Sequence, residues 1–140
     1  MFEECLYFNS NALARTVTRV WTEAYKPFGL SPPHAFMLRV VLANPGIMPR
    51  ELAKELSHSR STITRFLDSL EKRNLLVRKM TTLDGREVQV YPAKDAIDIH
   101  DKLDQTGKNL TKLMGEIIGQ DDLSITISNL RKMQHILESN

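Results

Sequence analysis

Arg60, Ser61, Thr62, Thr64 and Arg65 put three short hydroxyls and two arginines within six positions. Hydroxyls of this kind hydrogen-bond phosphate oxygens or base edges. A threonine methyl can touch a thymine methyl, and an arginine can hold a guanine through two parallel bonds. These residues belong to a segment, Arg60 to Lys72, that reads as a helix. Ile63, Phe66, Leu67 and Leu70 then share one inward stripe, at the i, i+3, i+4, i+7 spacing. Ser61, Arg65, Asp68 and Lys72 lie opposite that stripe, with Thr62 and Thr64 on the flanks. Ser59 is a good N-cap for the helix, and its first turn favours a nearby phosphate. Asp68 and Lys72, four residues apart, read as a solvated pair. An ordinary solvated helix face would carry similar residues, so the neighbouring elements decide between the two readings.

A second basic group follows. Leu75–Thr81 and Glu87–Tyr91 read as two strands, the second alternating polar and apolar, with Pro92 ending it. The intervening Thr82-Leu83-Asp84-Gly85 carries the Asp-Gly pair of a tight hairpin. Arg86 lies beside that turn and Lys79 on the facing strand. A hairpin tip too thin for a core suits an arginine bound for a narrow minor groove, where negative potential is concentrated. A solvent-exposed Arg86 paired with Asp84 is the alternative. Residues 59–86 hold seven basic against three acidic groups, a net of +4 in a chain whose total is +2. A basic centre between mildly acidic ends fits a protein that turns one face to a polyanion.

The preceding elements position these groups. Leu13, Val17, Val20, Ala24 and Phe28, widened by Trp21 and Tyr25, form the stripe of a long first helix that stops at Gly29, a residue suited to a left-handed cap. Ser31 caps a second helix with Pro32 at its first position, and that helix ends at Asn44-Pro45-Gly46. A short third helix starts at Pro49 and carries Leu52, Ala53 and Leu56. Ser57-His58 leaves room only for a tight turn before the Arg60 helix. Asn74, tolerant of the left-handed conformation, closes that helix. Short helix, turn, polar-faced helix and hairpin make a winged helix-turn-helix. Helical spacing resumes near Ala93, with Gly107 expected to interrupt it, breaks at Gly119-Gln120-Asp121, and returns through Leu123, Ile127, Leu130, Ile136 and Leu137.

The expected fold is therefore mainly α with a small β-wing (α+β): a winged helix-turn-helix over 31–92, flanked by long dimerisation helices over 1–30 and 93–140, in one domain spanning 1–140. The terminal stripes must be buried somewhere, and a second copy arranged as a symmetric dimer is the simplest cover. Folding back onto the same chain is the other solution.

Composition narrows the functional classes. With 41% hydrophobic and 26% charged residues, the 140-residue chain is ordinary for a globular domain. No apolar run reaches a membrane-spanning length, and MFEECLYFNS is acidic where a signal peptide would be basic, which places the protein in the cytoplasm. One cysteine makes no internal disulfide. His34, His58, His100 and His135 show no metal-binding spacing, so no metal or other cofactor is expected. There is no glycine-rich phosphate loop or nucleophile elbow, and Ser57, His58 and Asp68 fit a turn and a helix surface better than a triad. An enzyme is not expected.

Gly29-Leu30-Ser31-Pro32, Pro45-Gly46, Glu51-Leu52-Ala53, Ser61-Thr62-Ile63-Thr64-Arg65, Leu70-Glu71-Lys72-Arg73 and Asp84-Gly85-Arg86 together resemble the MarR family (multiple-antibiotic-resistance regulators). The run from Ser61 to Arg73 is the most specific part. The resemblance implies a homodimeric winged-helix transcription regulator of double-stranded DNA, usually a repressor, acting on an inverted repeat. Its terminal helices would form the dimer, its fourth helix would read the major groove, and Arg86 would be the wing arginine of the minor groove. It also implies release of DNA by a small aromatic or phenolic effector. Met48 stands where a Ser or Thr cap is common, Asn74 where Gly is usual, and Ala93 and Ala96 where Thr and Gly often follow the wing. None of these departures touches the proposed DNA contacts.

Trp21, Tyr25, Phe28, His34, Phe36 and Arg39 are the candidates for an effector pocket, since aromatics and one cation suit an aromatic acid. Plain core is the competing reading. Some relatives sense peroxides through an N-terminal cysteine, but here Asn11 occupies the matching position when the chain is aligned on Tyr25-Lys26-Pro27. Glu3 and Glu4 also disfavour a reactive thiolate at Cys5, so a packed or interfacial Cys5 is expected rather than a redox sensor. A winged helix that coats nucleic acid without sequence preference, or that binds protein, remains the alternative function.

Overall fold

The computed structural model describes residues 1–81 and 87–140. The expected hairpin turn and Arg86 lie outside the described residues. Helix α1 spans Leu6–Tyr25 and runs into a 3-10 turn, Lys26–Phe28. There follow α2 (Pro32–Ala43), α3 (Pro49–Leu56), α4 (Arg60–Lys72), strands β1 (Leu76–Met80) and β2 (Val88–Pro92), α5 (Lys94–Ile118) and α6 (Gln120–Glu138). The chain forms two compact units, Met1–Asp104 and Gln105–Asn140.

In the first unit, local chemistry sets the helix ends. Gly29 takes φ +64° and its N–H donates to the Lys26 carbonyl, closing the 3-10 turn. The Ser31 side chain accepts from the His34 N–H at the start of α2. Met48 does not leave α3 without a cap: its own N–H donates to Glu51 Oε2 at 2.9 Å, so the residue three positions into the helix stabilises the start. Asn74 adopts φ +58°, as its type allows.

The core of this unit lies between α2, α3, α4 and the strands. Met37, Leu38 and Val41 of α2, Leu52 of α3 and Ile63, Leu67 and Leu70 of α4 are buried together with Leu76 and Val90. Phe36 of α2 is exposed, against the plain-core reading, whereas Leu38 is fully buried. Strands β1 and β2 pair antiparallel, Leu76 opposite Pro92 and Met80 opposite Val88. A third segment joins them. Gly46 N–H donates to Val90 O and Val90 N–H to Ile47 O, so the loop after α2 bridges the edge of β2. This ties the root of the hairpin to the helix-turn-helix.

Gly107 does not interrupt α5, which runs unbroken from Lys94 to Ile118. The position is buried, and i→i−4 bonding tolerates a glycine there at a cost of about 1 kcal/mol. In the second unit, Gly119 at φ +97° makes the whole break before α6. The Gln120 side chain then lies over Gly115 and leaves no room there for a Cβ. Among the described residues, fifteen of the nineteen exposed large apolar side chains lie in residues 1–25 or 113–137, including Leu6, Leu13, Ile127 and Leu130. No helix of the described residues is long and apolar enough to cross a membrane.

Candidate nucleic-acid interface

Helix α4 presents its outer face as the stripe pattern requires. Arg60, Ser61, Thr64 and Arg65 are exposed, Thr62 is half-buried, and Ile63, Leu67 and Leu70 are inside. The turn before it is held by Ser57 at φ +54°, a left-handed residue that is not glycine. Its N–H donates back to Lys54 O and that of His58 to Ala53 O, which reverses the chain within three residues.

The hydroxyls at the start of α4 form one local network. Ser59 Oγ accepts from the Thr62 N–H and donates to Thr62 Oγ1 at 3.0 Å, with Ser61 Oγ 3.1 Å away. Thr64 Oγ1 donates to Arg60 O. Thr62 is therefore a cap partner first and an outward contact second, whereas Ser61 and Thr64 keep bonding capacity toward solvent. Among the described residues, no hydrogen bond or ion pair holds the Arg60 or Arg65 guanidinium.

The basic centre is divided between two duties. Arg78 of β1 bonds Asp68 Oδ1 and Glu71 Oε2, each at 2.6 Å. Asp68 is thus paired across elements with Arg78, and not with Lys72 as the i, i+4 spacing suggested. Arg73 donates to the carbonyls of Gly29 and Phe28. Arg73 and Arg78 hold the fold, which leaves Arg60, Arg65, Lys72 and Lys79 facing outward. Lys79 sits on β1 opposite Gln89, with its ammonium 5.0 Å from the Tyr91 ring centre, a cation–π contact that aims it along the strand face.

Phe66 packs between two imidazoles. His34 and His58 both meet its ring edge-on, with centroids at 4.9 and 5.5 Å. Burial, with the Arg73 charge as a second cause, lowers the pKa of His34 from its ordinary value.

The six effector-pocket candidates do not share one pocket. Tyr25 is fully buried, with Phe28 and Phe36 against its ring. Arg39 lies over Phe36 and donates to Tyr25 Oη and to Asp104 Oδ1 at 3.0 Å. Its Nε is buried without a partner among the described residues. His34 faces Phe66 instead of this group, and Trp21 is half-buried on α1. A mainly apolar cavity of about 290 Å³ opens beside Phe36, lined by Thr18, Pro32, Pro33, Leu56 and His58. Cys5 is exposed, not packed within the chain.

Arg50 was not singled out in the sequence. It sits at the second position of α3, exposed, and borders the same small notch as Arg60. Its only signal was a basic residue directly after the Pro49 that starts α3.

Comparisons with known proteins bear on the fold. Residues 28–87 match the model of the MarR family. Among curated proteins, none matches the chain. Solved structures of similar fold include MepR of S. aureus in complex with DNA, 16% identical over 96% of this chain and 99% of that one, with a TM-score of 0.86. The transcriptional repressor CouR bound to a 23-mer DNA duplex is 22% identical over 95% and 94%, with a TM-score of 0.84. The regulator PcaV of Streptomyces coelicolor, with its natural ligand, is 17% identical over 96% and 95%, with a TM-score of 0.79.

Proposed function

We propose that this protein is a transcription regulator of the MarR family, whose model its residues 28–87 match, and that it binds a specific inverted repeat in double-stranded DNA as a cytoplasmic homodimer. The observation that carries the reading is the outer face of α4, where Arg60, Ser61, Thr64 and Arg65 stand exposed on a helix whose inner face is locked into the core. A helix so presented fits the major groove, with Arg65 as the base-reading arginine. Lys79 and, beyond the described residues, Arg86 extend the contact along the wing.

The homodimer rests on the apolar side chains left exposed on α1, α5 and α6, which a second copy would cover. Two copies of α4 would then address half-sites roughly one helical turn, about 34 Å, apart. Repression relieved by a small aromatic or phenolic effector is the regulatory part of the proposal. The cavity beside Phe36 supports it: His58 lines that cavity and also touches Phe66 of α4, so a bound molecule would press on the reading helix. PcaV, which shares the fold, was solved with its natural ligand.

The test is selection of genomic fragments by the purified protein, followed by anisotropy titration of the best site at several salt concentrations. A discrete inverted repeat bound by two protomers is the expected result. Weak, steeply salt-dependent binding with no preferred sequence would replace the regulator with a nucleic-acid coat. A stable protein complex in the absence of DNA binding would replace it with an interaction module.

A further inference from the structure

Two guanidinium groups from successive helices border one notch. Arg50 stands at the second position of α3 and Arg60 at the first position of α4. Met48, Pro49 and Val88 supply the apolar lining and Glu87 the remaining side, around a volume of about 170 Å³. Both arginines are exposed, and no hydrogen bond or ion pair engages either one among the described residues.

The α4 start adds to the field. Its cap, Ser59, is neutral, and the one backbone N–H its side chain accepts is that of Thr62, so the N–H groups of Arg60 and Ser61 have no partner within the helix. The α3 start differs, because the Glu51 carboxylate already occupies it. The notch thus offers two forked cations, with one carboxylate, Glu87, on its rim. That donor set fits a tetrahedral, singly charged oxyanion better than a planar base edge.

We infer that Arg50 and Arg60 together grip one backbone phosphodiester of the bound duplex, so that Arg60 positions the protein while Arg65 reads the bases. The inference rests on the DNA-binding reading and adds Arg50 as a contact, with Arg60 moved from base recognition to the backbone. Phosphate contacts fix register and carry no sequence information, so loss of one weakens all sites alike. Glu87, on the rim, opposes the phosphate, so neutralising it strengthens binding.

The experiment measures anisotropy on the preferred site and on a panel of single-base variants, across a salt series, for the wild type, Arg50→Ala, Arg65→Ala and Glu87→Gln. Arg50→Ala is expected to weaken every site by a common factor of roughly tenfold and to lower the salt slope by about 1. Its ranking of base variants stays that of the wild type. Arg65→Ala is expected to flatten that ranking. Glu87→Gln is expected to tighten binding only while Arg50 is present, which the double variant reads. Thermal melts of each variant show that the fold is intact, and Arg50→Lys, which keeps charge without the fork, restores the slope where Arg50→Ala does not.

A wild type that prefers one site, with Arg50→Ala matching its affinity and slope, overturns the inference and leaves the DNA reading standing. A changed preference at one base pair in Arg50→Ala overturns it in favour of a base contact. Inorganic phosphate binding to the DNA-free protein, abolished in Arg50→Ala with DNA affinity unmoved, would give the notch to a free anion. A wild type that binds no DNA removes the functional reading and this inference together.

Discussion

Arg73, directly after the last residue of α4, reaches 44 residues back to donate to the Gly29 carbonyl at 2.7 Å and to that of Phe28 at 3.3 Å. The far end of α4 is thereby fastened to the corner where α1 gives way to α2. Gly29 fits this corner because it takes φ +64° and because a Cβ there would stand 3.2 Å from Arg73 Nη2.

Arg73→Ala removes both bonds, and urea unfolding is expected to show a loss of about 1 kcal/mol, at the low end for charged donors because the group is solvent-exposed. Gly29→Ala is expected to cost more, since it adds left-handed strain to the crowding. A Gly29→Ala protein as stable as the wild type would show that the corner tolerates a side chain.

Arg65→Ala is expected to lose about 1–3 kcal/mol at the preferred site and little at mismatched ones, so its sequence preference relaxes. Arg86→Ala is expected to weaken binding most where A·T-rich flanks narrow the minor groove. Wild-type affinity for the preferred site in both variants would remove these two residues from the interface.

Acid should loosen the α2–α4 contact through His34. Its folded-state pKa is lowered from 6.5 by burial, helped by the charge of Arg73, so the fold favours the neutral ring. The unfolded chain takes up the proton at about 6.5. The stability from the neutral ring is therefore complete above that pH and is lost as pH falls through it toward the lowered value. Chemical denaturation from pH 8 to pH 5 is expected to show a decline that His34→Gln makes shallower. Parallel pH profiles for the two proteins would mean that another group sets the slope.

Ile127 and Leu130 are about half exposed on α6. If a second copy covers them, Ile127→Glu with Leu130→Glu puts two carboxylates into an apolar interface. Sedimentation is expected to shift from dimer to monomer, with loss of affinity for the whole inverted repeat and retention of helical content. A dimer that survives both changes would place the interface on other residues.

Most of this architecture is written in short-range pattern. The spacing of Ile63, Phe66, Leu67 and Leu70 identifies α4 and its orientation, Ser31 and Ser59 mark helix starts by side-chain capping, and Gly29 and Asn74 mark ends by their backbone preference. What the pattern cannot register is pairing between distant segments. Asp68 has Lys72 one turn away, yet its partner is Arg78, because β1 folds back along α4. The bridge from Ile47 to Val90 has no local signal. Gly107 reads as an interruption in isolation, but the residues on either side of it keep α5 helical. In the site, the outward residues of α4 are legible from periodicity. The notch at Arg50 is not, since it exists only when the starts of two helices and a strand meet. The pocket residues scatter for the same reason: aromatic type alone does not distinguish Tyr25, fully buried, from Phe36, on a cavity wall.

The double grip of Arg78 on Asp68 and Glu71 fastens β1 to the flank of α4. Two short ion pairs across one joint couple the movements of the two elements. An effector that tilts α4 would therefore carry the β1 contacts with it, and no half-released state, with the helix withdrawn and the strand still docked, would accumulate. Titrating such an effector against the DNA complex would give a curve with a single inflection, and cutting the rivet with Arg78→Ala would split it in two.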